Sequence, residues 1–101
     1  MENFGHYIRQ LRKHKEWTLT KLAAMLDMDS ANLSKIETGK RGFDEKKLPL
    51  FCDIFELELE KMKRELISEK FANKVYYENV DETVFRLAEQ KVKYLIKNDK
   101  H

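Results

Sequence analysis

"TLTKLAAMLDMDSANLSKIETGKR", Thr18 to Arg41, is the stretch whose reading decides the fold. Leu22, Ala23 and Leu26 recur at helical spacing, "DMD" at 27–29 interrupts them, and Leu33 and Ile36 resume the period until Gly39 stops it. The pattern predicts two short helices, Leu19 to Leu26 and Ser30 to Thr38, separated by a three-residue break. Thr18 is the natural N-cap of the first, although Lys21 rather than Glu follows at the third position, so the capping box is incomplete. Asp29 or Ser30 caps the second. Two helices this close make particular demands. A small residue midway along the first lets the second cross it, and Ala23 is there. Leu22, Leu26, Met28, Leu33 and Ile36 fill the angle between them. The break needs a residue that tolerates positive φ, and Asp27 does so more readily than most residues with a side chain.

Working outward, Phe4, Tyr7 or Ile8, and Leu11 predict a helix from Asn3 to Lys15. Beyond the central stretch, "KRGFDE" reads as a loop with Asp44 capping a fourth helix from about Lys46 to Phe55. Pro49 falls near its first turn, where the missing N–H costs little. Leu50, Phe51, Ile54 and Phe55 are its expected core residues, with Cys52 a small apolar neighbour. Leu59, Met62, Leu66 or Ile67, Phe71 and Val75 predict a fifth helix over 58–75, and "YYENVD" a turn. A sixth helix over 81–97 carries Val84/Phe85, Leu87/Ala88, Val92 and Leu95/Ile96, after which the last residues should fray. The expected fold class is all-α, with a compact unit over 1–56 and a helical extension over 57–101.

Composition supports this reading and excludes others. Three Gly and one Pro in 101 residues suit long helices and not a many-turned β-protein. No apolar run approaches the roughly 18 residues of a membrane span, and "MENFGHYIRQLRK" lacks the apolar segment of a secretory leader. One Cys allows no internal disulfide and fits a reducing cytoplasm. His6, His14 and His101 lack metal-ligand spacing and Cys52 has no partner, so no metal, cofactor or catalytic constellation is expected, and no enzyme. Net charge is only +2, but residues 9–41 carry eight bases against four acids, leaving the remainder net acidic. A locally basic segment is the footprint of a nucleic-acid partner, and a solvated helix surface fits it as well.

The two central helices and their break have the spacing of a helix-turn-helix. With "IRQLRK" at 8–13, "TLTKLAAML" at 18–26 and "LSKIETGKR" at 33–41 in that order, the chain from Gly5 to about Phe55 resembles the phage-repressor-type (XRE) helix-turn-helix family. The resemblance implies a five-helix, repressor-like domain that binds double-stranded DNA with its third helix in the major groove. It places Ser30, Ala31, Asn32, Ser34 and Lys35 against base edges or nearby phosphates. Asn pairs with adenine, Lys donates to guanine and Ala touches a thymine methyl. Asn32 and Ser34 are otherwise solvated positions, and Lys35 can serve a phosphate instead of a base. Thr18, Thr20, Lys40 and Arg41 fall at phosphate-contacting positions, the two cations being otherwise solvated loop residues. Leu19 stands where the family often has Gln, and Phe43 where it often has Pro. Glu37 matches a glutamate that pairs with an arginine of the first helix, here Arg12, in a structural ion pair.

One such helix reads only a few base pairs, so these domains commonly act as twofold dimers on palindromic sites. "VFRLAEQKVKYLI" at 84–96 packs on the fifth helix of its own chain or on a second chain. A homodimer through helices four to six is the expectation. The stretch from Lys47 to Phe55 and the two helices after it are similar to controllers of restriction–modification operons. The function implied is a sequence-specific transcriptional regulator, a repressor or controller, in the cytoplasm. The alternative is an antitoxin-type module that binds DNA and a partner protein, which an unpaired hydrophobic segment would favour.

Overall fold

The computed structural model describes residues 3–99. The expected fraying of the last residues and the reading of His101 fall partly or wholly outside them. The described residues form α1 (Phe4–His14), α2 (Leu19–Met25), α3 (Ser30–Glu37), a 3-10 turn (Glu45–Lys47), α4 (Leu48–Phe55), α5 (Leu59–Tyr77) and α6 (Glu82–Asn98). Among them there is no strand, and the fold is all-α. Two compact units divide the chain, the first reaching Glu69 and the second beginning at Lys70, inside α5.

The first three helices are opened and closed by local chemistry. Asn3 Oδ1 accepts from His6 N, Thr18 Oγ1 from Lys21 N, and Asp29 Oδ1 from Asn32 N. Each cap satisfies one of the N–H groups a helix start leaves without a partner. At the other end, α1, α2 and α3 close with left-handed residues: Glu16 at φ 59°, Asp27 at 54° and Gly39 at 80°. The following amide then reaches back to a carbonyl of the last turn: Trp17 N to Arg12 O, Met28 N to Ala23 O and Lys40 N to Lys35 O. Glu56 and Asn79 are also left-handed. Only one of these five positions is a glycine.

The core of the first unit gathers one stripe from each of its helices. Phe4, Ile8, Leu22, Ala23, Leu26, Leu33, Ile36, Leu48, Phe51 and Phe55 are buried, and Met62 and Leu66 bring the first half of α5 into the same cluster. Phe43 joins it from the loop, with its ring centroid 5.4 Å from Phe4 and 5.6 Å from Phe51. Trp17 stacks 5.5 Å from Phe55 and closes the far side of the aromatic row. Such ring pairs add about 0.5–1.5 kcal/mol each beyond burial. The backbone N–H of Phe4, at the start of α1, donates to Glu69 Oε1 at 3.0 Å, so α5 caps α1 across 65 residues of sequence.

Three expectations need correction. Asp44 caps the 3-10 turn, and α4 begins two residues later than anticipated, at Leu48. Leu50, expected inside, is 38% exposed, whereas Leu48 is fully buried. Tyr76 and Tyr77 still belong to α5, and the turn is confined to residues 78–81, with Asp81 capping α6.

In the second unit, Phe71 of α5 meets Phe85 of α6 edge-on at 5.8 Å. The ladder on α6 is nevertheless not a core: Val84, Phe85, Leu87, Val92, Leu95 and Ile96 are 42–71% exposed. A groove of about 580 Å³ lies between these helices, floored by Phe71, Phe85, Ala88 and Val92 and rimmed by Glu82, Arg86 and Glu89.

Candidate nucleic-acid interface

α2 and α3 are locked at their crossing from behind. Leu22, Leu26 and Leu33 are fully buried, and Ala23 and Ile36 nearly so. Asp27 takes the left-handed turn that lets Met28 N reach Ala23 O at 3.0 Å. Lys47, arriving from the 3-10 turn, donates through Nζ to Asp27 O at 3.0 Å and lies 3.9 Å from the Asp27 carboxylate. Nothing in the sequence pointed to Lys47, because its partner is twenty residues away and both side chains look like ordinary surface charges.

Glu37 is turned inward. Its carboxylate accepts from Arg12 Nε and Nη2, both at 2.9 Å, in a two-pronged pair. Arg12 Nη1 also donates to Trp17 O at 3.0 Å, tying the pair to the turn between α1 and α2. The hydrogen bond to Glu37 raises the Arg12 pKa above its ordinary value, with desolvation opposing it. The acid therefore spends its charge inside the unit and leaves the outer face of α3 free of it. Cys52, buried beside the core, has its thiol pKa pushed up by desolvation, helped by the neighbouring Asp53 charge, and stays protonated.

The outer side of α3 presents Ala31 and Lys35 as exposed residues, with Ser30, Asn32 and Ser34 half-buried. Leu33 and Ile36 occupy the opposite side. After Gly39 the chain doubles back, and Lys40 N and Arg41 N both donate to Lys35 O, at 2.8 and 3.2 Å. That reversal places exposed Lys40 and Arg41 beside α3, and Arg41 Nη1 donates to Asn32 Oδ1. Thr18 and Thr20 are exposed at the start of α2. Lys21 lies 5.3 Å from the Trp17 ring, a cation–π contact that sequence reasoning did not find. Leu19 is half-buried and packs against the core, so it offers no polar group there.

Among the described residues, no group of three or more His, Cys, Asp or Glu is placed to hold a metal ion. No helix among them is long and apolar enough to cross a membrane.

Two short helices crossing at a left-handed turn, with one polar face outward and a basic return loop, define the helix-turn-helix class. A family model described as a helix-turn-helix domain matches residues 3–65, and the chain belongs to that family. It is similar to the HTH-type transcriptional repressor RghR of Bacillus subtilis (strain 168), with 43% identity over 42 residues, covering 42% of this chain and 31% of that protein. It is also similar to an uncharacterized HTH-type transcriptional regulator, RghRB, of the same organism, with 45% identity over 42 residues, covering 42% of this chain and 30% of that protein. The chain thus spans about a third of the length of these curated relatives. No solved structure matches it significantly.

Proposed function

We propose that the chain is a transcriptional regulator that binds double-stranded DNA in a sequence-dependent way, with α3 in the major groove. The observation that carries this is the polarity of α3: Leu33, Ile36 and the paired Glu37 face inward, leaving serines, Asn32 and Lys35 outward beside Lys40 and Arg41. On this reading Ser30, Ala31, Ser34 and Lys35 approach base edges. Thr18, Thr20 and Lys40 contact phosphates, which position the protein without carrying sequence information. Thr18 Oγ1 already accepts from Lys21 N, and its hydroxyl proton remains to donate to a phosphate oxygen. The family membership supports the DNA partner, and the word repressor in one relative's name supports repression.

Selection from random duplexes, followed by binding in a salt series, tests the reading. A preferred sequence should emerge, and Lys40→Ala should weaken all duplexes alike and lower the salt slope by about one contact. Selection that recovers no common sequence would sink the proposal.

The regulator acts as a homodimer on a palindromic operator, with the α6 face covered by a second copy. The support is the row from Val84 to Ile96, exposed in the single chain at the spacing of a helix–helix seam. The same unpaired row favours a second reading, in which a partner protein covers it, as in an antitoxin. Sedimentation of the purified chain separates the two. A stable dimer that Phe85→Glu converts to a monomer supports the first, and a folded monomer with no self-association supports the second.

A further inference from the structure

Arg41 and Asn32 are joined in a way that changes what each can read. Asn32 is fixed at three points. Its backbone N–H is held by Asp29 Oδ1 at 2.6 Å, its Nδ2 points at Met28 Sδ at 3.9 Å, and its Oδ1 accepts from Arg41 Nη1. Met28 in turn packs against the buried cluster, so the amide is referenced to the core. Bidentate recognition of adenine needs Oδ1 and Nδ2 turned outward together. Here one is engaged by Arg41 and the other faces Met28.

Arg41, by contrast, is brought forward. Gly39 at φ 80° and the two N–H hydrogen bonds to Lys35 O return the loop along α3, and the guanidinium lies at the level of the third residue of that helix. Among the described residues no carboxylate forms an ion pair with it. A neutral amide oxygen takes one of its five N–H donors, and the positive charge stays uncompensated. The planar group keeps a fork of donors, and such a fork matches O6 and N7 of guanine in the major groove.

We propose that Arg41 is a specificity-determining residue that reads a guanine, and that Asn32 is its positioning residue, not an independent reader of adenine. The proposal rests on the DNA-binding reading above, and it moves Arg41 from the phosphates to the bases. A base contact is lost when the fork is lost, even with the charge kept. A phosphate contact largely survives the exchange of Arg for Lys.

The experiment is selection from random duplexes by the full chain and by Arg41→Ala, Arg41→Lys and Asn32→Ala, with binding then measured on the selected duplex and on one altered at the guanine. The wild-type chain should discriminate the two about tenfold or more. Arg41→Ala and Arg41→Lys should both lose that discrimination. Asn32→Ala should relax the same base pair, and the double variant should relax it no further than Arg41→Ala alone. The proposal is overturned if Arg41→Ala weakens all duplexes equally with preferences intact, or if Asn32→Ala relaxes a different base pair. Wild-type chain that selects no sequence overturns the DNA-binding reading itself and this proposal with it, so the two failures are distinguishable.

Discussion

Replacing Gly5 with alanine should lower stability by about 2–3 kcal/mol, because overpacking costs roughly that much and rigid surroundings push it upward. An added Cβ would lie 2.0 Å from Ile36 O and 3.0 Å from Ile36 C, both backbone atoms of α3. No side-chain rotation can relieve that contact, so α1 and α3 must part along the face where they pack. The better helix propensity of alanine returns about 1 kcal/mol, which is too little to reverse the sign. In a domain of this size the loss corresponds to a fall in Tm of about 10–20 °C. Gly42→Ala provides the control: nothing lies within 4 Å of a Cβ there, and the Tm should stay close to that of the parent. Equal Tm values for the Gly5 variant and the parent would show that the two helices do not approach this closely.

Glu37→Ala should cost about 3 kcal/mol, because a buried charge stripped of its partner is far more expensive than the net value of the intact pair. The Arg12 side chain is only 13% exposed and that of Glu37 4%, so water cannot easily take over. A guanidinium stays charged at any working pH, so the variant keeps an unpaired, mostly buried cation. Denaturant unfolding of three chains would separate stranding from pairing. Glu37→Ala should be the least stable, Glu37→Gln should lie between, and Arg12→Met with Glu37→Leu should recover most of the loss. A double variant worse than Glu37→Ala would mean that the pair itself stabilises strongly, contrary to the argument.

The central helices were legible because their signals are local. Leu22, Leu26, Leu33 and Ile36 repeat at one period, Asp27 sits where a side chain can still adopt positive φ, and Gly39 ends the last turn. α4 was legible as a helix, with Phe51, Phe55 and Cys52 inside as expected, but the choice between Leu48 and Leu50 was not legible. "LPLFCDIF" is apolar on most sides, so the stripe through Leu50 and Ile54 and the stripe through Leu48 and Cys52 read alike. Burial chose Leu48, and the 3-10 turn before it shifted the start. Phe43 escaped because a loop residue has no periodicity to betray it, although it is 3% exposed. On α6 the opposite held: the pattern is clear, but an amphipathic pattern shows that a helix has a face to bury and not what buries it. Within the candidate site, the polar residues of α3 could be named from the resemblance to the helix-turn-helix family. The Arg41–Asn32 contact could not, since it depends on how the loop after Gly39 returns.

The bond from Phe4 N to Glu69 Oε1 has a practical meaning for anyone wishing to work with the front half by itself. A fragment cut soon after α4 would lose Met62 and Leu66 from the floor of its interior and, in the same stroke, the acceptor that holds the first amide of α1. The natural place to sever the chain is therefore beyond residue 69.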